Sequence, residues 1–168
     1  MAPAAGGASA DPFDLDLSWT PVSRKLVTAR LTVTAMWLVP LIVGGGLLAA
    51  LTGVPGLWAI PVAFLLLGLW ISWLVPRQVG AMGYAEREDD LLIRRGIMFR
   101  SLVVVPYGRM QYVDVSAGPL DRRFGIATVQ LHTAASSTNA TIAGLPPAEA
   151  ARLRERLASR GEARLAGL

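Results

Sequence analysis

The side chains that could carry chemistry in this chain are few and thinly grouped. His132 is the only histidine and cysteine is absent, so disulfides and thiolate metal sites are excluded. A general base at His132 would need an orienting acid and a nucleophile, and Ser136-Ser137, in a small polar loop, offer weak geometry for that. Glu88-Asp89-Asp90 could offer oxygen ligands to calcium or magnesium, but an acidic cluster borne on a turn is ordinarily a solvated cap. Asp114, between Val113 and Val115, fits cross-strand pairing with Arg109 or Arg123. Gly44-Gly45-Gly46 has the glycines of a phosphate cradle but no following Lys-Ser/Thr, and it lies in an apolar run. The expectation is a protein that is not an enzyme, with no catalytic, cofactor-binding or metal-binding residue.

Arginine offers more. Residues 77 to 168 hold thirteen Arg against nine acids, which accounts for the whole net charge of +4. Basic residues beside an anionic leaflet are attracted by about 1 kcal/mol each. Arg77, Arg94, Arg100, Arg122 and Arg123 are therefore the candidate contacts to anionic lipid, with Arg94 and Arg100 flanking the tip of the first hairpin of the segment. Nucleic acid is not the expected partner, because its binders interleave basic clusters with aromatics and this segment has few.

Those arginines must be positioned by what precedes them. From residue 31 to 76 there is no Asp, Glu, Lys, Arg or His, and the run is interrupted once, at Thr52-Gly53-Val54-Pro55-Gly56. Leu31 to Leu51 and Leu57 to Val75 each reach the roughly 20 apolar residues that a helix needs to cross a hydrocarbon core. A membrane-spanning helical hairpin follows. Gly45 with Ala49, and Gly46 with Ala50, place small residues four apart and predict close helix packing, first of all between the two spans. Trp58, Trp70 and Trp73 fit aromatic belts, and the absence of ionisable groups in the spans argues against an ion path within this chain. Arg24, Lys25 and Arg30 at the entrance and Arg77 at the exit, with an uncharged loop between, predict both termini in the cytoplasm of a multi-pass plasma-membrane protein. The acidic start, with Asp11, Asp14 and Asp16, lacks the basic region of a cleavable signal.

The expected organisation is a disordered tail over 1–18, an interfacial segment and hairpin over 19–76, a folded cytoplasmic domain over 77–161 and a tail over 162–168. In the approach, Trp19 sits at headgroup depth and Pro21 at a helix start. Beyond Arg77 the pattern alternates, predicting strands over Val79 to Arg87, Leu91 to Met98, Leu102 to Val105, Arg109 to Val115 and Ala127 to Thr133, and a short one from Ala140. Arg94 and Arg95 are neighbours on a strand and point to opposite faces unless Gly96 makes a bulge. Leu102-Val103-Val104-Val105 is apolar on both faces, which marks Val103 and Val105 as candidate partner contacts. Pro146-Pro147 opens a helix with Ala150, Leu153 and Leu157 along one side, ending at Gly161. The fold class is two transmembrane helices plus a mainly antiparallel β barrel, or curved sheet, capped by a C-terminal helix.

The stretch Leu92-Ile93-Arg94-Arg95-Gly96-Ile97, then Val104-Val105-Pro106-Tyr107-Gly108-Arg109-Met110-Gln111-Tyr112-Val113-Asp114-Val115, Gly118-Pro119-Leu120 and Phe124-Gly125-Ile126-Ala127-Thr128-Val129 resembles bacterial pleckstrin-homology (PH) membrane proteins of the YdbS-like kind. With the closing Leu145-Pro146-Pro147-Ala148-Glu149 helix, the likeness covers roughly residues 20 to 160. It implies a hairpin followed by a cytoplasmic PH-like barrel, and a partner in a larger membrane protein carrying several such domains. It implies no biochemical activity. Phosphoinositide binding does not carry over, since no Lys-rich loop is present to embrace several phosphates.

Three functional readings follow. The leading one is a non-catalytic, membrane-anchored PH-like adaptor or scaffold, working as a subunit with another membrane or PH-domain protein or by self-association. The alternatives are a module that binds anionic lipid headgroups and an accessory subunit of a transporter or enzyme complex.

Overall fold

The structure is a computed structural model and describes residues 17–134 and 139–166. The expected tail over 1–18, apart from Leu17 and Ser18, and the pair Ser136-Ser137 lie outside the described residues.

Two long helices, α1 (Lys25–Thr52) and α2 (Ala59–Gly80), form the hairpin. Almost none of either helix is covered by protein, and Trp37, Leu51, Leu66 and Trp70 are well exposed. A core helix of a soluble protein would be covered; these two present apolar surface all round, as lipid requires. Gly53, left-handed at φ 64°, caps α1 by donating its N–H to the Ala49 carbonyl, and a 3-10 turn over Pro55–Trp58 leads into α2.

Small residues bring the helices together, though only one of the two expected pairs takes part. A Cβ placed on Gly45 would touch Ile60 and Pro61 at 3.5 Å, and Ala49 is buried. Gly46 meets nothing within 4 Å, and Ala50 is exposed. Successive residues on a helix are about 100° apart, so the second pair turns away from the seam. Gly68 supplies the other close approach, where Leu38 would lie 3.3 Å from an added Cβ.

α2 runs on to Gly80, past Pro76, so the expected strand from Val79 begins later, as β2 (Gly83–Glu86). It is followed by β3 (Asp90–Arg95), β4 (Ser101–Pro106) and β5 (Met110–Ser116), a short helix α3 (Pro119–Phe124), β6 (Ala127–Thr133), β7 (Ala140–Leu145) and α4 (Pro147–Ala166). The last helix therefore continues through Gly161. The strands form two antiparallel sheets rather than one closed barrel ladder. One has the order β1-β2-β3-β4 and the other β5-β6-β7, where β1 is Thr20–Pro21.

Pro21 is thus a strand residue opposite Gly83, not a helix start. Two residues on, the Ser23 N–H donates to the Gly144 carbonyl of β7 at 2.9 Å. The chain entering the membrane bridges the two sheets, which explains why Val22 and Leu26 are buried among the domain's own residues. The expected boundary at residue 77 does not separate that segment from the β-rich module.

Alternation places the core. β6 buries Ala127, Val129, Leu131 and Thr133 and leaves Thr128, Gln130 and His132 half-buried, the two-faced strand that its sequence predicts. Ala150, Leu153 and Leu157 of α4 are fully buried against the sheets. Side-chain contacts then fix α4: Glu149 accepts from the Tyr84 hydroxyl and from Arg152, while Glu86 accepts from Arg152 and Arg156 at 3.0 Å each.

Candidate membrane-surface site

The hairpin joining β3 and β4 is the most unusual surface of the module. Gly96 turns it at φ 88°, where a Cβ would collide with the Phe99 carbonyl oxygen, so only glycine fits. Beyond it, Met98 is 85% and Phe99 88% exposed, with Ile97 also exposed. The expected strand to Met98 stops instead at Arg95. This apolar tip faces the second membrane helix across a cavity of about 350 Å³, with Ile97, Met98 and Phe99 on one side and Leu74 and Gln78 of α2 on the other. Leu74 belongs to the uncharged span, so the tip shares a cavity with the end of that span.

Aromatic rings hold two of the predicted arginines. The Arg77 guanidinium lies 3.5 Å from the Trp73 ring centroid, and that of Arg94 lies 4.6 Å from the Trp19 ring. Such stacking suits the headgroup layer, where the ring faces hydrocarbon and the cation faces phosphate. Arg100 is exposed at the base of the tip. Arg122 donates from Nε to the Ala117 carbonyl at 3.1 Å, and Arg123 is exposed on the last turn of α3, beside Gly125, where the Lys25 ammonium approaches. The five arginines are thus distributed between α2, the β3–β4 hairpin and α3 rather than drawn into one clamp.

Val105 is not a surface contact, and Val103 is half-buried. Val105 is fully buried in the core and Val103 packs against it, because both share the face of β4 that carries their partners Leu91 and Ile93 inward. The outward face belongs to Leu102 and Val104, the latter 43% exposed.

β3 keeps its register through Arg95 opposite Ser101, so no bulge brings Arg94 and Arg95 to one face. Both side chains nevertheless line the mouth of the module between the sheets, where Arg30 of α1 also arrives. Arg30 and Arg95 stand 65 positions apart, and no local pattern in the sequence joins them.

The remaining candidates are structural. His132 stacks on Tyr112 across the β5–β6 pair, with ring centroids 4.2 Å apart. Asp114 stands opposite Gln130 and forms no ion pair with Arg109 or Arg123. Asp90 lies 3.7 Å from Arg87, within the turn. The strongest electrostatic feature is the α4 clasp. Arg152, and after it the Tyr84 hydroxyl, hold the Glu149 carboxyl down at about 2, while burial followed by Glu149 pushes the Tyr84 hydroxyl well above its ordinary value. Burial likewise raises Tyr107, whose hydroxyl donates to the Arg87 carbonyl and accepts from Arg160. Tyr84, Glu149, Arg152 and Glu86 thus satisfy one another at the start of α4.

A sequence model of the family described as bacterial PH domain matches residues 33–161. The transmembrane protein YdbS of Bacillus subtilis (strain 168) is 42% identical over 72 residues, a stretch that covers 43% of this chain and 44% of that relative. The match therefore spans less than half of the relative's length. No solved structure matches the chain.

Proposed function

Because the chain belongs to the bacterial PH domain family, with two membrane-capable helices and a transmembrane relative, we propose that it is a non-catalytic module applied to the lipid surface, with the tip of its β3–β4 hairpin in the bilayer interface. The observation that carries this reading is the position of Met98 and Phe99, exposed to solvent yet sharing a cavity with Leu74 of the second span. Exposed aromatic and thioether side chains flanked by Arg95 and Arg100 match an interface that is apolar on one side and anionic on the other.

The absence of native cysteine makes the test direct. A nitroxide on Met98→Cys in the full chain, reconstituted in bilayers, is expected to collide with lipid-soluble oxygen, and one on Arg154→Cys with an aqueous nickel chelate. A Met98 label that met the nickel chelate as freely as the Arg154 label would overturn the reading.

The same proposal places the loop at Gly53 outside the plasma membrane and both termini in the cytoplasm, supported by Arg24, Lys25, Arg30 and Arg77 at the membrane-entry ends of the helices. An impermeant thiol reagent on intact cells should label Gly53→Cys and spare Arg154→Cys. Labelling of the second would reverse the topology.

A second reading, an adaptor that meets another membrane or PH-domain protein, is favoured by Leu102 and Val104 on the outer face of β4, the edge strand of its sheet. Val104→Asp should then release a partner that co-purifies from mild detergent. Unchanged co-purification would remove β4 from consideration.

A further inference from the structure

We propose that the mouth of the module, between Arg30 of α1 and Arg95 of β3, binds the phosphate of one anionic phospholipid. A cavity of about 230 Å³ opens there, lined by Arg30, Arg94 and Arg95 and by apolar side chains such as Val22 and Ile142, with no acidic residue in its lining. The Nε atoms of Arg94 and Arg95 are buried, and neither has a hydrogen-bond partner among the described residues. Buried guanidinium N–H groups without acceptors are unfavourable, and gathering like charges in one cavity adds to the cost. A phosphate group relieves both, since its oxygens accept from arginine in the geometry of a guanidinium fork.

The shape of the neighbouring space selects the source of that phosphate. Arg30 also lines a second, larger cavity of about 640 Å³, walled by Ala29 and Val33 of α1, Val75 of α2 and, at its α3 side, Leu120 and Asp121, whose carboxylate accepts from the Gly118 N–H. That groove follows the two helices into the uncharged run. A ligand with its phosphate at Arg30 and Arg95 has room there for an acyl chain, which inorganic phosphate would leave unused. The ligand class is thus a phosphate-bearing lipid of net negative charge. This inference rests on the membrane placement proposed above and not on insertion of the Met98–Phe99 tip.

The test is native mass spectrometry of the full chain in detergent micelles, titrated separately with phosphatidylglycerol, phosphatidylcholine and inorganic phosphate. One phosphatidylglycerol per chain is expected at a concentration at least tenfold below that needed for phosphatidylcholine. Arg95→Gln and Arg30→Gln should each abolish that preference, whereas Arg154→Gln, the same loss of charge on the exposed face of α4, should keep it. Arg95→Lys, which retains charge without the fork, serves if Arg95→Gln fails to fold, and it should weaken the preference. Met98→Asp with Phe99→Asp should leave the preference intact, so failure of the tip reading and failure of this one are distinguishable. Equal retention of the two lipids, a preference that survives both Gln variants, or saturation by inorganic phosphate with no lipid adduct would each overturn the proposal.

Discussion

Leu26, in the first turn of the first membrane helix, lies directly on Gly144 of the last strand: a Cβ on Gly144 would sit 2.8 Å from both the Cβ and a terminal methyl of Leu26. With the Ser23 hydrogen bond to the same Gly144, this contact locks the root of the membrane hairpin onto the folded module. The β-rich domain is therefore held to the helices by packing as well as by the chain connection.

Gly144→Ala should break that lock. Residue 144 has φ 79°, so alanine is strained there and also collides with Leu26. A loss of about 2 kcal/mol or more is expected, read as a lower thermal-unfolding midpoint in detergent and faster proteolysis near Ser23. Leu26→Ala in the same chain should restore only part of the loss, because the colliding Cβ remains. Stability equal to that of the parent would refute the contact.

The α4 clasp should respond to acid. The Glu149 carboxyl, depressed from 4.5 to about 2, contributes stability that is fully present above about pH 4.5 and is lost as pH falls toward 2. Its side chain is 28% exposed, so solvent screening limits the contribution to about 1–2 kcal/mol. Thermal unfolding from pH 6 down to pH 2.5 should show the gap between the parent and Glu149→Gln closing over that range. A gap independent of pH would show that the carboxylate's charge is immaterial.

β4 should separate folding from recognition. Val105→Asp places an unpaired carboxylate in the core and should cost several kcal/mol, enough to unfold the module. Val104→Asp, on the outward face, should shift stability by no more than about 1 kcal/mol. Circular dichroism of the two variants decides the matter, and a folded Val105→Asp protein would contradict the register.

Within the hairpin, Gly45→Leu should push Ile60 and Pro61 away and destabilise the helix pair by about 1–3 kcal/mol. Gly46→Leu, facing open space, should be tolerated. Comparing the heat stability of the two variants in micelles checks this, and equal behaviour would mean that the helices pack on another seam.

How much of this was legible in the chain depends on how far apart the interacting residues are. The spans were, because 46 consecutive uncharged residues exclude water whatever surrounds them. So were the alternation of Ala127 to Thr133 and the Ala150-Leu153-Leu157 stripe, since period 2 and period 3.6 are written in neighbouring residues. The apolar character of residues 102–105 was visible too, but not which valines face inward, because pairing with Leu91 and Ile93 sets that register. Only the tertiary structure could join Ser23 and Leu26 to Gly144, Tyr84 to Glu149, or Arg30 to Arg95. Those meetings span 65 or more positions, and they depend on α2 continuing to Gly80 and on the entering chain filling the seam between two sheets. Local sequence determined that the protein enters the membrane and carries a β-rich module; long-range packing decided how that module is fastened to the root of the membrane helices.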